Sequence, residues 1–362
     1  MDSARCRVVL VVDVLDSLVI GAGQAGLSSS YHLKRRGIEH VVLDADDGPG
    51  GAWQHRWDAL TMHDVHRVAD LPGLEQSPGD DDERANQYVP RYFADYEKTF
   101  ELPVIRPVRV DRVDDRDGLL VTTAGDRTWT SRTVINATGT WTRPFIPHYP
   151  GIETFAGEQL HTVGYPGPEH FRGKRVLVVG GGASAVQFIG AIAPLAASAV
   201  WTTRREPVWS TREFTPEIGR EVVAKVEERV RQGLPPHSVV SVTGLRLREQ
   251  EREAERMGVY AARRPMFQRI EPDGVRWADG SFEPVDVILW ATGFRYAIEH
   301  LAPLNLRSPR GGIQLDGTTA VADPRVQMVG YGPSASTIGA NRAGRQAAIG
   351  VAQELVRASS ET

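Results

Sequence analysis

An α/β fold of two similar units, the second inserted into the first, is what this sequence predicts. Three observations carry the prediction. The segment Gly21-Ala22-Gly23-Gln24-Ala25-Gly26 follows the apolar run Leu18-Val19-Ile20, and Gly180-Gly181-Gly182-Ala183-Ser184-Ala185 follows Val176-Leu177-Val178-Val179. Each leads into a helix-like segment, Leu27 to Arg36 and Val186 to Leu195, and then into another strand-like run. After the second unit the chain offers one more apolar run, 285–291, and a closing helix over 339–357, which are expected to complete the first unit. The boundaries expected on this reading are 17–150, 151–284 and 285–362.

Along the chain, residues 1–16 precede the first strand and have no clear role; an added edge segment and an upstream start are the two readings. Residues 18–44 read as strand, helix, strand. Residues 45–86 are loop-rich, and the acidic run Asp80 to Glu83 reads as a solvated loop. An amphipathic helix is expected over 87–100, from Tyr88, Tyr92, Phe93, Tyr96 and Phe100. Short strands follow over 104–136, then a Pro/Gly-rich linker at about 143–151. Residues 172–205 repeat the strand, helix, strand pattern. Ile218, Val222, Val226 and Val230 share one face of a helix over 215–231. Arg246 to Arg256 is almost all charged and reads as a solvated helix.

The glycine spacing has a physical reason. The first glycine permits a sharp strand-to-helix turn, the second lets backbone approach a pyrophosphate, and the third position lets helix pack on sheet. The helix N-terminus then presents unpaired N–H groups and a positive dipole end to the phosphates. In the second loop Ala185 replaces the third glycine, so a structural turn is the competing reading there. Two such loops imply two dinucleotides held close together, and hence electron transfer between them. Asp44 ends the run Val41-Val42-Leu43-Asp44, 18 residues past Gly26, where an acid binds a ribose 2′-hydroxyl. That suits the adenosine ribose of FAD or NAD; Asp46 and Asp47 are rivals that read as loop residues. The run Val200-Trp201-Thr202-Thr203-Arg204-Arg205 ends in two guanidiniums instead, which suit bidentate capture of a 2′-phosphate. NADPH is therefore expected at the second loop, unless the arginines are ordinary surface residues.

Composition narrows the field. The chain has 362 residues, 41% hydrophobic and 24% charged, with a net charge of −4. That is ordinary for a globular protein and argues against nucleic acid as a partner. No apolar run approaches the roughly 20 residues of a membrane helix, and Asp13 and Asp16 interrupt the greasiest stretch, Val8 to Ile20. No membrane partner and a cytoplasmic location are expected. Cys6 is the only cysteine, so a dithiol redox centre within the chain is excluded. The ten histidines show no close metal-ligand spacing, so no metal is expected. The oligomeric state stays open, a homodimer included.

The order of motifs resembles the flavin-containing monooxygenases, class B flavoprotein monooxygenases of the compact bacterial type, over nearly the whole chain from Leu18. Gly21 to Gly26 is followed by Gly50-Gly51-Ala52-Trp53, then Phe155-Ala156-Gly157-Glu158-Gln159-Leu160-His161-Thr162-Val163-Gly164-Tyr165, then Gly180 to Ala185. The third element is similar to that family's F-x-G-x-x-x-H-x-x-x-[YF] signature. Ala137-Thr138-Gly139 and Ala291-Thr292-Gly293-Phe294 fall where the family's chain crosses between domains. Tyr165-Pro166 departs in part: the aromatic fits N- and S-oxygenation, while the proline echoes the Baeyer–Villiger branch.

The resemblance implies two Rossmann-like dinucleotide-binding domains, an NADPH domain inserted into an FAD domain. It implies that NADPH reduces FAD, that O2 gives a hydroperoxyflavin, and that one oxygen reaches an amine nitrogen or sulfide sulfur of a small molecule. Baeyer–Villiger oxygenation, a flavin reductase serving a protein partner, and a non-enzymatic flavoprotein are the alternatives. The chemistry is flavin-centred, so no catalytic side chain, triad or metal is expected. The cofactor-binding set implied is Gly21, Gly23, Gln24, Ala25, Gly26, Asp44, Gly51, Trp53, Thr138 and Gly139 for FAD, and Gly180, Gly182, Ala183, Ser184, Arg204, Arg205, Thr292 and Gly293 toward NADPH and the crossings. Ser336 and Thr337 open the last helix, whose N-terminus is expected at the flavin pyrimidine. Trp53, Gln54 and Trp57 are expected along the FAD, and Arg212, Arg263 and Arg264 near cofactor or substrate charge. His161, His63 and His66 read as structural, His161 as a linker residue. Substrate specificity is expected in 53–86 and 206–265.

Overall fold

The computed structural model describes residues 14–65, 68–77, 80–210, 216–236, 244–245, 247 and 251–360, without the side chains of 216–223 and 337–338. Cys6, His66, Arg212 and part of the charged stretch at 246–250 lie outside the described residues.

Strand β1 spans Leu15–Ile20 and starts ahead of the apolar run. Its polar first residues join the sheet through backbone and carboxylate: the buried Ser17 donates its N–H to Glu39 O at 3.1 Å, and the Asp16 carboxylate accepts the Glu39 N–H at 3.2 Å. Helix α1, Gln24–Lys34, and strand β2, His40–Leu43, complete the first strand, helix, strand unit. Helix α2, Ala85–Thr99, buries Tyr88, Tyr92, Phe93 and Tyr96. Its three phenols donate to the carbonyls of Ser77, Leu74 and Pro72 at 2.6, 2.6 and 2.8 Å, which pins the loop that precedes it. Strands β3 (Val104–Ile105), β4 (Arg112–Arg116), β5 (Leu119–Ala124) and β6 (Arg127–Asn136) follow.

The inserted unit contains β7 (Glu158–His161), β8 (Arg175–Val179), α3 (Ala183–Ile192), β9 (Ser198–Thr203), α4 (Pro216–Arg231) and α5 (Arg252–Arg256). Strands β10 (Arg264–Pro265), β11 (Arg269–Glu271), β12 (Gly274–Arg276), β13 (Phe282–Pro284) and β14 (Val287–Trp290) complete it. The chain returns through β15 (Leu315–Asp316), β16 (Thr319–Ala320) and β17 (Val326–Met328) and ends in α6, Thr337–Ser360.

The first sheet runs β15-β16-β17-β6-β1-β2-β3, with the β4–β5 hairpin attached to β6. Its central pairs are parallel. The second sheet, β10-β9-β8-β14-β7, is parallel throughout. β11, β12 and β13 form a small antiparallel sheet. In the first sheet α1 and α6 pack closely because their contact is made of small residues: a Cβ on Gly344 would lie 2.5 Å from Ser28 Oγ.

Three expectations are corrected. The run 285–291 does not belong to the first unit. Val287–Trp290 pairs with Val176–Val179 on one side and Glu158–His161 on the other, so the boundary expected after residue 284 falls early. Apolar on both faces, such a strand carries no signal of which sheet it joins. Helix α4 lies within the inserted segment but leans on the first unit, where Val230 is buried with Leu18, Ile20 and Tyr331. The charged stretch ends in a helix that is not wholly solvated, since Glu251 and Ala254 are almost fully buried beside α3.

Candidate functional site

The two glycine loops divide their glycines between two jobs. Gly21 has φ +101°, and a Cβ there would lie 2.7 Å from the Ala137 carbonyl oxygen. Gly180 has φ +147°, and its Cβ would lie 2.2 Å from the Ala291 carbonyl oxygen. Each loop thus turns against the alanine of one Ala-Thr-Gly segment. A Cβ on Gly26 would sit 1.8 Å from the Gly21 oxygen, so the third position admits no side chain. Ala185 occupies the equivalent place in the second loop and is fully buried.

The middle glycines differ. Gly23 has φ −78° and ψ −173°, Gly182 φ −105° and ψ 177°, extended values open to any residue. Nothing lies within 4 Å of a Cβ built on either. Both are helix N-caps that provide no side-chain cap. Neither backbone nor packing requires glycine there; the space in front of two uncapped helix N-termini does, if a phosphate is to approach. Gly51 folds over the first loop, with its Cβ direction 2.9 Å from Gly23 Cα.

Asp44 is buried at the end of β2. Its carboxylate accepts the Ala22 N–H at 3.3 Å and Arg106 Nε at 3.2 Å, while Arg106 forms a bidentate pair with Glu97 at 2.7 and 2.8 Å. Burial pushes the Asp44 carboxyl up, and Arg106 pulls it down. Asp46 instead holds Gln54 and His55, each at 3.0 Å, and Asp47 is exposed. Sequence reasoning missed Arg106 and Glu97, which the fold brings to Asp44 from two other elements.

At the second loop, Arg204 and Arg205 follow β9 and are exposed. Arg263 donates to Thr203 Oγ1 at 3.2 Å and pairs with Glu206 at 3.3 Å. Arg264 does not join this cluster: it lies 3.9 Å from the Trp277 ring centroid and pairs with Glu283.

The two crossings clasp each other reciprocally. Thr138 Oγ1 donates to the Ala297 carbonyl, and the Ala297 N–H donates to Gly139 O. Thr292 Oγ1 donates to the Phe145 carbonyl, and the Phe145 N–H donates to Gly293 O. Pro144 and Phe294 form an antiparallel bridge between them. His161 joins the clasp: its Nδ1 accepts the Val163 N–H at 3.4 Å, which leaves Nε2 to donate to Gly293 O at 3.0 Å. The hydroxyls of Thr138 and Thr292 are thus engaged in the crossings.

Trp57 does not lie along the first loop; it packs edge-on against Tyr165 and Phe188 of the second core, both at 5.3 Å. Trp53 stays with the first core. Ser336 accepts the Gly339 N–H at 3.1 Å and so caps the start of α6. His63 is exposed.

Beneath the first crossing, His300 Nε2 donates to Asn136 Oδ1 at 2.7 Å, and burial pushes its pKa down from 6.5 to about 4. The folded value lies below the unfolded one, so this contribution to stability is complete above pH 6.5 and is lost as pH falls through 4. The loss is on the order of 3 kcal/mol. Urea midpoints measured at pH 7.5 and 4.5 are expected to differ less in His300→Gln than in the wild type; an unchanged gap would remove His300 from the account.

Among the described residues no helix is long and apolar enough to cross a membrane, and no group of three His, Cys, Asp or Glu side chains could hold a metal.

Comparison with known proteins gives a consistent picture. A family model described as pyridine nucleotide-disulphide oxidoreductase matches residues 18–264. A flavin-containing monooxygenase from Stenotrophomonas maltophilia is similar in structure with TM-score 0.81 and 36% identity, covering 94% of this chain and 99% of that one. Cyclohexanone monooxygenase shares the fold at TM-score 0.64 and 19% identity, over 94% of this chain and 88% of that one. Among curated proteins, an uncharacterized oxidoreductase CzcO-like of Geobacillus kaustophilus is 30% identical over 174 residues, 48% of this chain and 50% of that protein. Indole-3-pyruvate monooxygenase YUCCA4 of Oryza sativa is 25% identical over 375 residues, 89% of this chain and 84% of that protein. The chain spans about half the length of the first curated relatives it matches.

Proposed function

This chain belongs to the pyridine nucleotide-disulphide oxidoreductase family and, within it, to the flavin-containing monooxygenases, and we propose that it is an FAD- and NADPH-dependent monooxygenase. One oxygen atom of O2 passes by way of a hydroperoxyflavin to a soft nucleophile, an amine nitrogen or a sulfide sulfur. The other leaves as water, and NADPH supplies the two electrons. The observation that carries this reading is the pair of side-chain-free spaces before Gly23 and Gly182, each facing an uncapped helix N-terminus.

FAD supplies the redox and oxygen chemistry when bound. The chain's own residues bind and orient. The N-terminus of α1, with Gly21, Gly23, Gln24, Ala25 and Gly26, receives the FAD pyrophosphate, and Asp44, fixed by Arg106 and the Ala22 N–H, takes the ribose. Gly51 and Trp53 cover that loop. The N-terminus of α3, with Gly180, Gly182, Ala183 and Ser184, receives NADPH. Arg204 and Arg205 take its 2′-phosphate. Thr138, Gly139, Thr292 and Gly293 fix the crossings between the two cofactors, and Ser336 and Thr337 set the start of α6 toward the flavin. The same reading places the protein in the cytoplasm. With one cysteine in 362 residues, dithiol chemistry is not part of it, whatever the family's description.

Tyr165 is buried and stacked on Phe188 at 4.1 Å, so packing by itself accounts for an aromatic residue there. The test is anaerobic reduction of the yellow protein by NADPH, then mixing with oxygenated buffer and a methyl aryl sulfide. Sulfoxide formed in step with NADPH consumed is the expected result. NADPH oxidation without oxygen uptake would overturn the proposal, and ester formed only from a cyclic ketone would replace its substrate.

Coenzyme choice has its own test. Arg204→Ala is expected to raise the KM for NADPH roughly tenfold or more, the weight of one charge-assisted hydrogen bond, and to leave NADH nearly unchanged. Equal effects on both coenzymes would sink the assignment.

A further inference from the structure

Where the chain passes between the two units, Arg56 has no anionic partner among the described residues. Arg56 lies between two indoles, its guanidinium carbon 5.5 Å from the Trp53 ring centroid and 4.3 Å from that of Trp141. Its Nε is buried and has no hydrogen-bond partner. Among the described residues no carboxylate lies within ion-pair distance of it. Burial lowers its pKa from 12.5 to about 10, with no acid opposing the shift. It still carries its charge at neutral pH; the two indole faces attract that charge, but no carboxylate among the described residues neutralises it, and a cation drawn partly out of water is costly.

Its place gives that cost a use. Trp53 belongs to the first unit, just beyond Gly51, while Trp57 reaches the core of the second. Arg56 therefore sits where the chain steps from one unit to the other. Trp141 continues the aromatic surface by stacking on Phe294 of the return crossing at 5.4 Å, and Phe294 meets the His161 ring edge-on at 5.1 Å. Trp53, Arg56, Trp141 and Phe294 are all half-buried rather than core, so they form an accessible wall between the loops. The cofactor phosphates have other receivers in the helix N-termini and in Arg204 and Arg205. On that reading no cofactor phosphate is assigned to Arg56.

Resting on the monooxygenase reading above, the geometry points to a substrate that is an organic anion: a carboxylate on an apolar or aromatic body, bound by Arg56 with the body against Trp141 and Phe294. Guanidinium suits a carboxylate through paired N–H donors, and the flanking indoles exclude water that would weaken the contact.

The test uses the FAD-loaded full chain with NADP⁺ and a matched pair of probes, 4-(methylthio)benzoate and its methyl ester. Affinity is read from flavin fluorescence without turnover, so the answer stands even if no oxygen transfer occurs. The wild type is expected to bind the carboxylate at least about tenfold more tightly than the ester, with the difference shrinking in high salt. Arg56→Gln is expected to abolish the preference while leaving ester and NADP⁺ affinity within about twofold; Arg56→Lys retains part of it. Equal binding of the two probes by the wild type would overturn the proposal, and that comparison needs no variant to fold. A preference that survives Arg56→Gln would also overturn it. So would loss of FAD or NADP⁺ affinity with the preference intact, which would hand Arg56 to a cofactor phosphate.

Discussion

Gly26→Ala is expected to give a colourless protein. The added methyl would fall 1.8 Å from the Gly21 carbonyl oxygen, and because that atom is backbone, relief requires moving the loop or the helix. Overpacking of this kind costs roughly 1–3 kcal/mol in stability. The larger effect falls on the cofactor, because the same shift displaces the N–H groups at the start of α1. The variant is expected to purify with under about a tenth of the wild-type flavin, a weakening of at least 1.4 kcal/mol per factor of ten. Absorbance near the flavin bands, set against protein concentration, checks this. A fully yellow Gly26→Ala protein would mean that the loop does not hold FAD.

Gly182→Val tests the opposite principle and is expected to give a yellow protein that NADPH no longer reduces. Valine adopts the backbone angles of Gly182 without strain, and nothing lies within 4 Å of its Cβ, so the fold and the first loop are left alone. The isopropyl group fills the open space before α3 that the proposal gives to a pyrophosphate. Anaerobic mixing with NADPH is expected to show flavin reduction slowed by about a hundredfold or more, some 2.7 kcal/mol at the transition state. Flavin content and thermal midpoint should stay at wild-type values. Reduction at the normal rate would leave the second loop as a structural turn. The two variants together separate a glycine that packing demands from one that a ligand demands.

That distinction also marks how far the sequence could be read. The glycine loops were legible because each is a local device: strand, turn and helix N-terminus lie within a few residues, and the spacing reports the backbone directly. The positions of Asp44, Arg204 and Arg205 were legible for the same reason, as the residues that follow strands whose starts the loops fix. What stayed hidden depends on distant pairings. Val287–Trp290 is apolar on both faces, so only its register with Val176–Val179 shows that it belongs to the second sheet. Val230 shares a helical face that the spacing reveals, but not the first-unit core on which that face rests. Arg56 is one arginine in a loop until Trp141, from far along the chain, closes over it. Trp57 looks like a partner of Trp53 in sequence, yet the fold sends the two rings to different cores. The polar start of β1 was passed over because Asp16 and Ser17 break the apolar run, although both are used by the sheet.

The reciprocal clasp of Thr138 and Thr292 bears on how such a chain can be remade. Entry to and exit from the inserted unit run side by side, bridged at Pro144 and Phe294, so its two ends meet at one place on the first sheet. An insert tethered in this way behaves as a cartridge. Its interior is expected to be exchangeable for another nucleotide-binding unit without lengthening or threading the host chain, provided the two threonines, the α4 face carrying Val230 and the seat of Trp57 against Tyr165 and Phe188 are kept. Coenzyme preference is then a property that can be replaced whole, while the flavin half and its aromatic wall stay as they are.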